Sequence, residues 1–123
     1  MKYSDLQEES WWHHPESAYD PSLPKEFDAV MIGWLGNKVE SIGVISDADL
    51  QHLEDLCETR YIDQALLGYH TCEICNKYDD RGEVLLIHED KYFVVPHMII
   101  HYVKDHKYLP PDEFLSALDQ IEA

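Results

Sequence analysis

The sequence predicts an α+β fold: an N-terminal strand and helix packed on a zinc-bound β-hairpin–helix–helix unit of the ββα zinc-finger-like kind. Three observations carry this. A cysteine pair, Cys72 and Cys75, has the two-residue spacing of a metal-binding knuckle. Two short β-rich runs follow, GEVLLIH (82–88) and KYFVVP (91–96), separated by a polar turn. A run with helical spacing, HMIIHYVKDHKY (97–108), then carries three histidines.

The chain begins with a polar, acidic stretch. Pro15, Pro21 and Pro24 exclude a long helix there. Residues 1–25 read as an N-terminal arm packed through Trp11 and Trp12, or as a partly mobile tail, and residues 26–123 as a single zinc-stabilised domain. His13 and His14 read as an incidental pair rather than ligands. Residues 27–36, FDAVMIGWLG, read as a strand, and residues 37–46 as a turn or short strand. Ser46, with Asp49 three residues on, opens a helix by a capping-box pattern. Leu50, Leu53 and Cys57 form its buried stripe, which makes Cys57 a core thiol. Gly68 reads as the end of a helical turn before the cysteines.

The zinc module spans residues 68–123. Residues 82–88 and 91–96 form the hairpin, with His88 in its turn, and Pro96 suits the first turn of the next helix. Pro110 and Pro111 end that helix and start another, with Asp112 and Glu113 at its dipole-favoured beginning. Phe114, Leu115, Leu118 and Ile121 form its apolar face. The expected core includes Trp34, Leu50, Leu53, Val84, Leu86, Phe93, Val95, Ile99, Ile100, Val103, Phe114 and Leu118.

In this layout Cys72 and Cys75 present two thiolates, and the helix returns two imidazoles. His97 and His101 are four apart and share a helix face. His101 and His106 are five apart, which suits zinc when the last turn unwinds at the second ligand; the nearby prolines favour that. Spacing alone leaves both pairs open. His70 reads as a packing residue or as one that orients a ligand. A dithiol redox pair is the competing reading of Cys72 and Cys75, but such a pair sits at a helix start, and here a hairpin follows.

The C-terminal half also resembles an uncharacterised bacterial domain-of-unknown-function family. The resemblance rests on Gly68-Tyr69-His70-Thr71-Cys72-Glu73-Ile74-Cys75, Gly82-Glu83, Tyr92, Pro96, His101-Tyr102 with His106, and Tyr108-Leu109-Pro110-Pro111 with Phe114. Gly33-Trp34-Leu35 is similar too, so about residues 30–118 are covered. The chain departs from the pattern at Lys107, where the family often has glycine. The resemblance keeps His101 and His106 but not His97. It therefore implies Cys72, Cys75, His101 and His106 as the metal ligands, and it brings no activity.

Composition bounds the function. There are 25 acidic residues against 9 Lys and Arg, a formal net charge of −16. That field repels phosphate backbones, so nucleic acid is not the expected partner. A basic protein is, as for an immunity or antitoxin-like inhibitor. No apolar run is long enough to span a bilayer and no signal core opens the chain, so a cytoplasmic protein with no membrane contact is expected. Two thiolates and two imidazoles fill a tetrahedral zinc, which predicts a structural ion and no enzyme. The alternatives are a metal-dependent nuclease or hydrolase with an open zinc beside His70 or His97, and a zinc-finger-like nucleic-acid-binding regulator.

Overall fold

The computed structural model describes residues 3–13, 19–62 and 70–122. Two strands, β1 (Glu8–Trp12) and β2 (Glu26–Met31), precede helix α1 (Asp47–Thr59). Short strands β3 (Tyr61–Ile62), β4 (His70–Thr71) and β5 (Asp79–Asp80) lead to β6 (Glu83–His88) and β7 (Lys91–Pro96). Helices α2 (Ile99–Asp105) and α3 (Asp112–Gln120) end the fold. The class is mixed α+β.

The main sheet has the order β1-β2-β7-β6-β3, and β4-β5 form a separate ribbon. The β6–β7 hairpin is antiparallel with His88 opposite Lys91, so Glu89 and Asp90 make a two-residue turn. Glu89 takes the positive φ, 55°, that such tight turns require. Strand β2 joins β7 in parallel, pairing Val30 with Phe93 and Met31 with Val94. The N-terminal strand is thus hydrogen-bonded into the hairpin's own sheet rather than packed on a separate module. The cysteines lie on the β4–β5 ribbon, outside the hairpin.

Residues 8–12 pair along their whole length with β2. Trp11 points into a second small core with Trp34, Leu85 and Val94, while Trp12 is half exposed. His13 is buried, stacks on Trp11, and its Nε2 meets the Pro24 carbonyl oxygen at 2.7 Å. Its imidazole is a structural tie; His14 and Gly68 lie outside the described residues.

Ser46 caps α1, its hydroxyl accepting from the Asp49 N–H at 3.1 Å. Leu53, Leu56 and Cys57 are the buried stripe of α1, and Leu50 is only half buried. Burial pushes the Cys57 thiol up to about 12, which leaves it an unreactive core group. The apolar face of α3, Phe114, Ala117 and Leu118, closes the main core with Leu53, Phe93, Ile99 and Val103. Ile100 packs at its edge.

Three local expectations are corrected. Pro96 ends β7 instead of opening the helix, because its residue still pairs with Glu83 across the hairpin; α2 begins at Ile99. His88 is the last residue of β6, paired with Lys91, instead of part of the turn. Residues 37–46, read as a turn or short strand, hold no strand, only an isolated bridge between Ile42 and Tyr108.

Candidate metal centre

The knuckle is built by backbone hydrogen bonds. Cys72 N–H donates to the Tyr78 carbonyl at 2.8 Å, and Asn76 N–H returns to the Cys72 carbonyl at 2.7 Å. Asn76 adopts φ 55°, a left-handed conformation that asparagine tolerates better than most residues. The turn places both sulfurs on one side of the ribbon.

Helix α2 supplies the opposite wall. His101 is in its body, and His106 is the C-cap, already out of helical geometry at φ −116° and ψ 5°. This unwinding is what lets side chains five residues apart converge. The turn is completed by Lys107 at φ 55°, after which Tyr108 N–H donates to the Tyr102 carbonyl at 3.1 Å. The departure from glycine at Lys107 therefore falls at a position whose backbone favours glycine.

The four ligand atoms of Cys72, Cys75, His101 and His106 all lie within 4.8 Å of one another. Cys72 Sγ is 3.5 Å from His106 Nε2, and Cys75 Sγ is 3.5 Å from His101 Nε2. The two Nε2 atoms are 3.1 Å apart. A tetrahedral zinc with bonds of about 2.3 Å to sulfur and about 2.0–2.1 Å to nitrogen needs S···N edges of about 3.5 Å and an N···N edge of about 3.3 Å. The residues present fit a zinc-sized ion, and soft thiolate donors suit zinc better than magnesium or calcium.

Surrounding groups orient the ligands. Asp105 Oδ2 lies 2.9 Å from His101 Nδ1, so the ring donates there and presents the Nε2 lone pair inward. Tyr78 stacks on the same ring, centroids 4.2 Å apart and planes 6° from parallel. Burial raises the Cys72 thiol, against which the backbone N–H groups of Cys75 and Ile74 stabilise its anion. Desolvation, then the neighbouring His101, lower His106, which keeps its imidazole neutral as a ligand must be. Tyr102, beside the knuckle, is pushed up to about 12 by burial and by the negative charge of Cys72, Glu73 and Cys75.

Of the residues picked out from sequence, the structure brings together Cys72, Cys75, His101 and His106, and leaves His97 and His70 outside the cluster. His97 Nδ1 is 2.7 Å from Asp80 Oδ2, with the Tyr61 ring edge-on to it at 5.1 Å. His70 stands edge-on to Trp34. Desolvation lowers its pKa, and its buried Nε2 has no hydrogen-bond partner among the described residues. Sequence reasoning missed Asp105 as the His101 partner, although its i+4 spacing on a helix was a usable signal. It also missed Tyr78, for which no local pattern exists.

Fold and cluster define the class: a mixed α+β domain carrying a two-cysteine, two-histidine group with metal-ligand geometry. The chain belongs to the family described as Domain of unknown function (DUF7919), whose model matches residues 1–119. That match takes in the N-terminal strand as well as the segment around the cluster. No curated protein and no solved structure matches the chain. Among the described residues, no helix is long and apolar enough to cross a membrane.

Proposed function

We propose that this chain is a small, acidic, zinc-stabilised protein-binding domain of the bacterial cytoplasm, without catalytic activity. Its partner is a basic protein, engaged as immunity or antitoxin-like inhibitors engage their targets. The carrying observation is the ligand set: four protein atoms within 4.8 Å of one another, three of their separations at tetrahedral edge lengths, support a filled site without a position for water or substrate. A filled zinc holds the knuckle ribbon to α2, and the chemistry it supplies is cohesion.

The charge supports the partner class. A net charge of −16 steers a cationic protein toward the domain and repels nucleic acid. The lysine of the ligand-bearing helix does not reverse this, since Lys104 faces Glu54 at 3.9 Å. The nuclease reading needs an open metal position, and a set of four protein ligands speaks against one. The cytoplasmic assignment rests on cysteine usage: three cysteines, two of them at C-x-x-C spacing, suit metal chemistry in a reducing compartment better than a structural disulfide.

Metal content per chain tests the site, measured for wild type, Cys72→Ser and His106→Ala. One zinc in wild type, lost together with folding in both variants, supports a closed structural centre. Zinc retained in His106→Ala moves the ligand or opens the site, and overturns it. Calorimetric titration against a cationic nuclease-toxin domain and against duplex DNA tests the partner class. Salt-sensitive binding to the former alone supports it; binding to DNA alone sinks it.

A further inference from the structure

A cavity of about 270 Å³ lies beside the knuckle, distinct from the four-ligand cluster. Its floor is apolar: Trp34 and Met98 are 5% and 2% exposed, and Pro96 adds a buried wall. Its rim is polar, formed by the exposed Thr71 and Glu73 of the knuckle ribbon. His70 completes one side.

Tyr102 also lines the cavity, with a hydroxyl that can donate or accept; the polar groups of the rim are acceptors. Glu73 brings a carboxylate. The Thr71 hydroxyl gives its proton to Asp79 Oδ1 at 2.6 Å, which leaves its lone pairs. The Trp34 indole N–H is already committed to the Val94 carbonyl at 3.0 Å. No lysine or arginine lines the cavity among the described residues. His70 lines one side with its ring, but its Nε2 is buried, has no hydrogen-bond partner among the described residues and supplies no polar contact to an occupant. An acceptor-rich rim over an aromatic and thioether floor is complementary to a positively charged donor on a short apolar stem. The volume sits at the lower end of ligand sites, which run from about 300 Å³ upward, and suits one side chain rather than a cofactor.

The geometry points to this cavity as an anchor pocket for a single alkyl-guanidinium or alkyl-ammonium group, its occupant an arginine or lysine side chain of a basic partner. The occupant's source rests on the reading of the domain as a binder of basic proteins; the pocket's chemistry does not. Glu73 meets the charge at the rim, and Trp34 and Met98 cover the stem. An aromatic-floored pocket filled by one long cationic side chain is where interface energy concentrates.

The test is a ¹H–¹⁵N correlation titration of the zinc-loaded full chain, read at the Trp34 indole N–H. The probes are ethylguanidinium chloride, sodium butyrate, and two capped tripeptides, Gly-Arg-Gly and its neutral Gly-citrulline-Gly counterpart. Ethylguanidinium and the arginine peptide are expected to give saturable shifts in the millimolar range, while butyrate and the citrulline peptide give none. Glu73→Gln, with its zinc stoichiometry checked, is expected to weaken the cation about tenfold. His70→Phe, which alters the wall without touching Glu73, is the second variant and is expected to weaken it too. Absence of a saturable shift, equal response to citrulline and arginine, or unchanged affinity in both variants overturns the proposal. Tighter binding of the arginine peptide than of ethylguanidinium assigns the occupant to a protein side chain; the reverse overturns that half and assigns a free small cation. No partner protein enters the experiment. Its failure would leave the zinc centre and the basic-partner reading intact, and failure to find a basic partner would leave the pocket result standing.

Discussion

Lys107 shows how one residue tunes the metal centre. Its φ of 55° lets His106 leave the helix toward His101 and sends Tyr108 back into the core. A left-handed lysine costs about 1–2 kcal/mol that glycine avoids, partly offset by glycine's freer unfolded chain. Lys107→Gly is therefore expected to stabilise the zinc-loaded protein by about 0.5–1 kcal/mol in urea unfolding. A loss of stability would show that the lysine side chain contributes more than its backbone strain. His97 gives a second test at this scale. The hydrogen bond to Asp80 raises its pKa above the ordinary 6.5, against desolvation that lowers it, with Asp80 and Glu58 charge adding to the rise. A raised histidine stabilises the fold fully below its unfolded value near 6.5, and that contribution fades as pH rises through the folded value. The stability gap between wild type and Asp80→Asn should be widest at about pH 6 and narrow toward pH 8. A gap that does not change with pH would mean the pair is not an ion pair.

At the scale of elements, the cap and the hairpin entry are the sensitive points. Ser46→Ala removes the only side-chain oxygen found capping the start of α1 and should cost about 1 kcal/mol in denaturant unfolding. Gly82 opens β6 at φ 92°, and a Cβ there would sit 2.3 Å from the Tyr61 ring. The Tyr61 hydroxyl donates to the Arg81 carbonyl at 3.0 Å, so the ring is held on both sides and cannot yield cheaply. Gly82→Ala is expected to cost more than about 2 kcal/mol and to disturb the β4–β5 ribbon that carries the cysteines. Ribbon amides that stay in place by NMR in that variant would show that the knuckle is positioned by α2 alone.

Among the described residues two apolar clusters and, in the proposed reading, one ion hold the molecule together against strong self-repulsion. The N-terminal segment is part of that cohesion: Tyr108 donates to the Asp5 carboxylate at 2.9 Å, and Gly33 N–H reaches the same group at 3.1 Å. Residues at opposite ends of the chain are thus tied beside the last ligand. Chelation of zinc should lower the melting temperature by more than about 10 °C, because loss of the ion frees both the knuckle and the end of α2. An unchanged melting curve would place the stability in the apolar clusters alone. Raising salt from about 0.05 to 0.5 M should raise the melting temperature of a chain with a net charge of −16, since screening relieves repulsion that is strongest in the compact state.

Much of this was set by local pattern. The capped helix at Ser46, the β6–β7 hairpin, the double-proline start of α3 and the cysteine knuckle depend on interactions a few residues apart, so the amino-acid order carried them, though it put His88 in the turn rather than in β6. The cysteine pair and a histidine-bearing helix could be read the same way, but the choice between His97 and His106 could not be made from helical spacing. It turns on where α2 unwinds, and on Asp80 reaching His97 from the ribbon 17 residues away. The parallel pairing of β2 with β7, the place of β1 in the sheet, the Tyr78 stack on His101 and the cavity under Glu73 are long-range juxtapositions. No local periodicity encodes them, because they arise only when the sheet closes and buries Trp34, Phe93 and Val94 together.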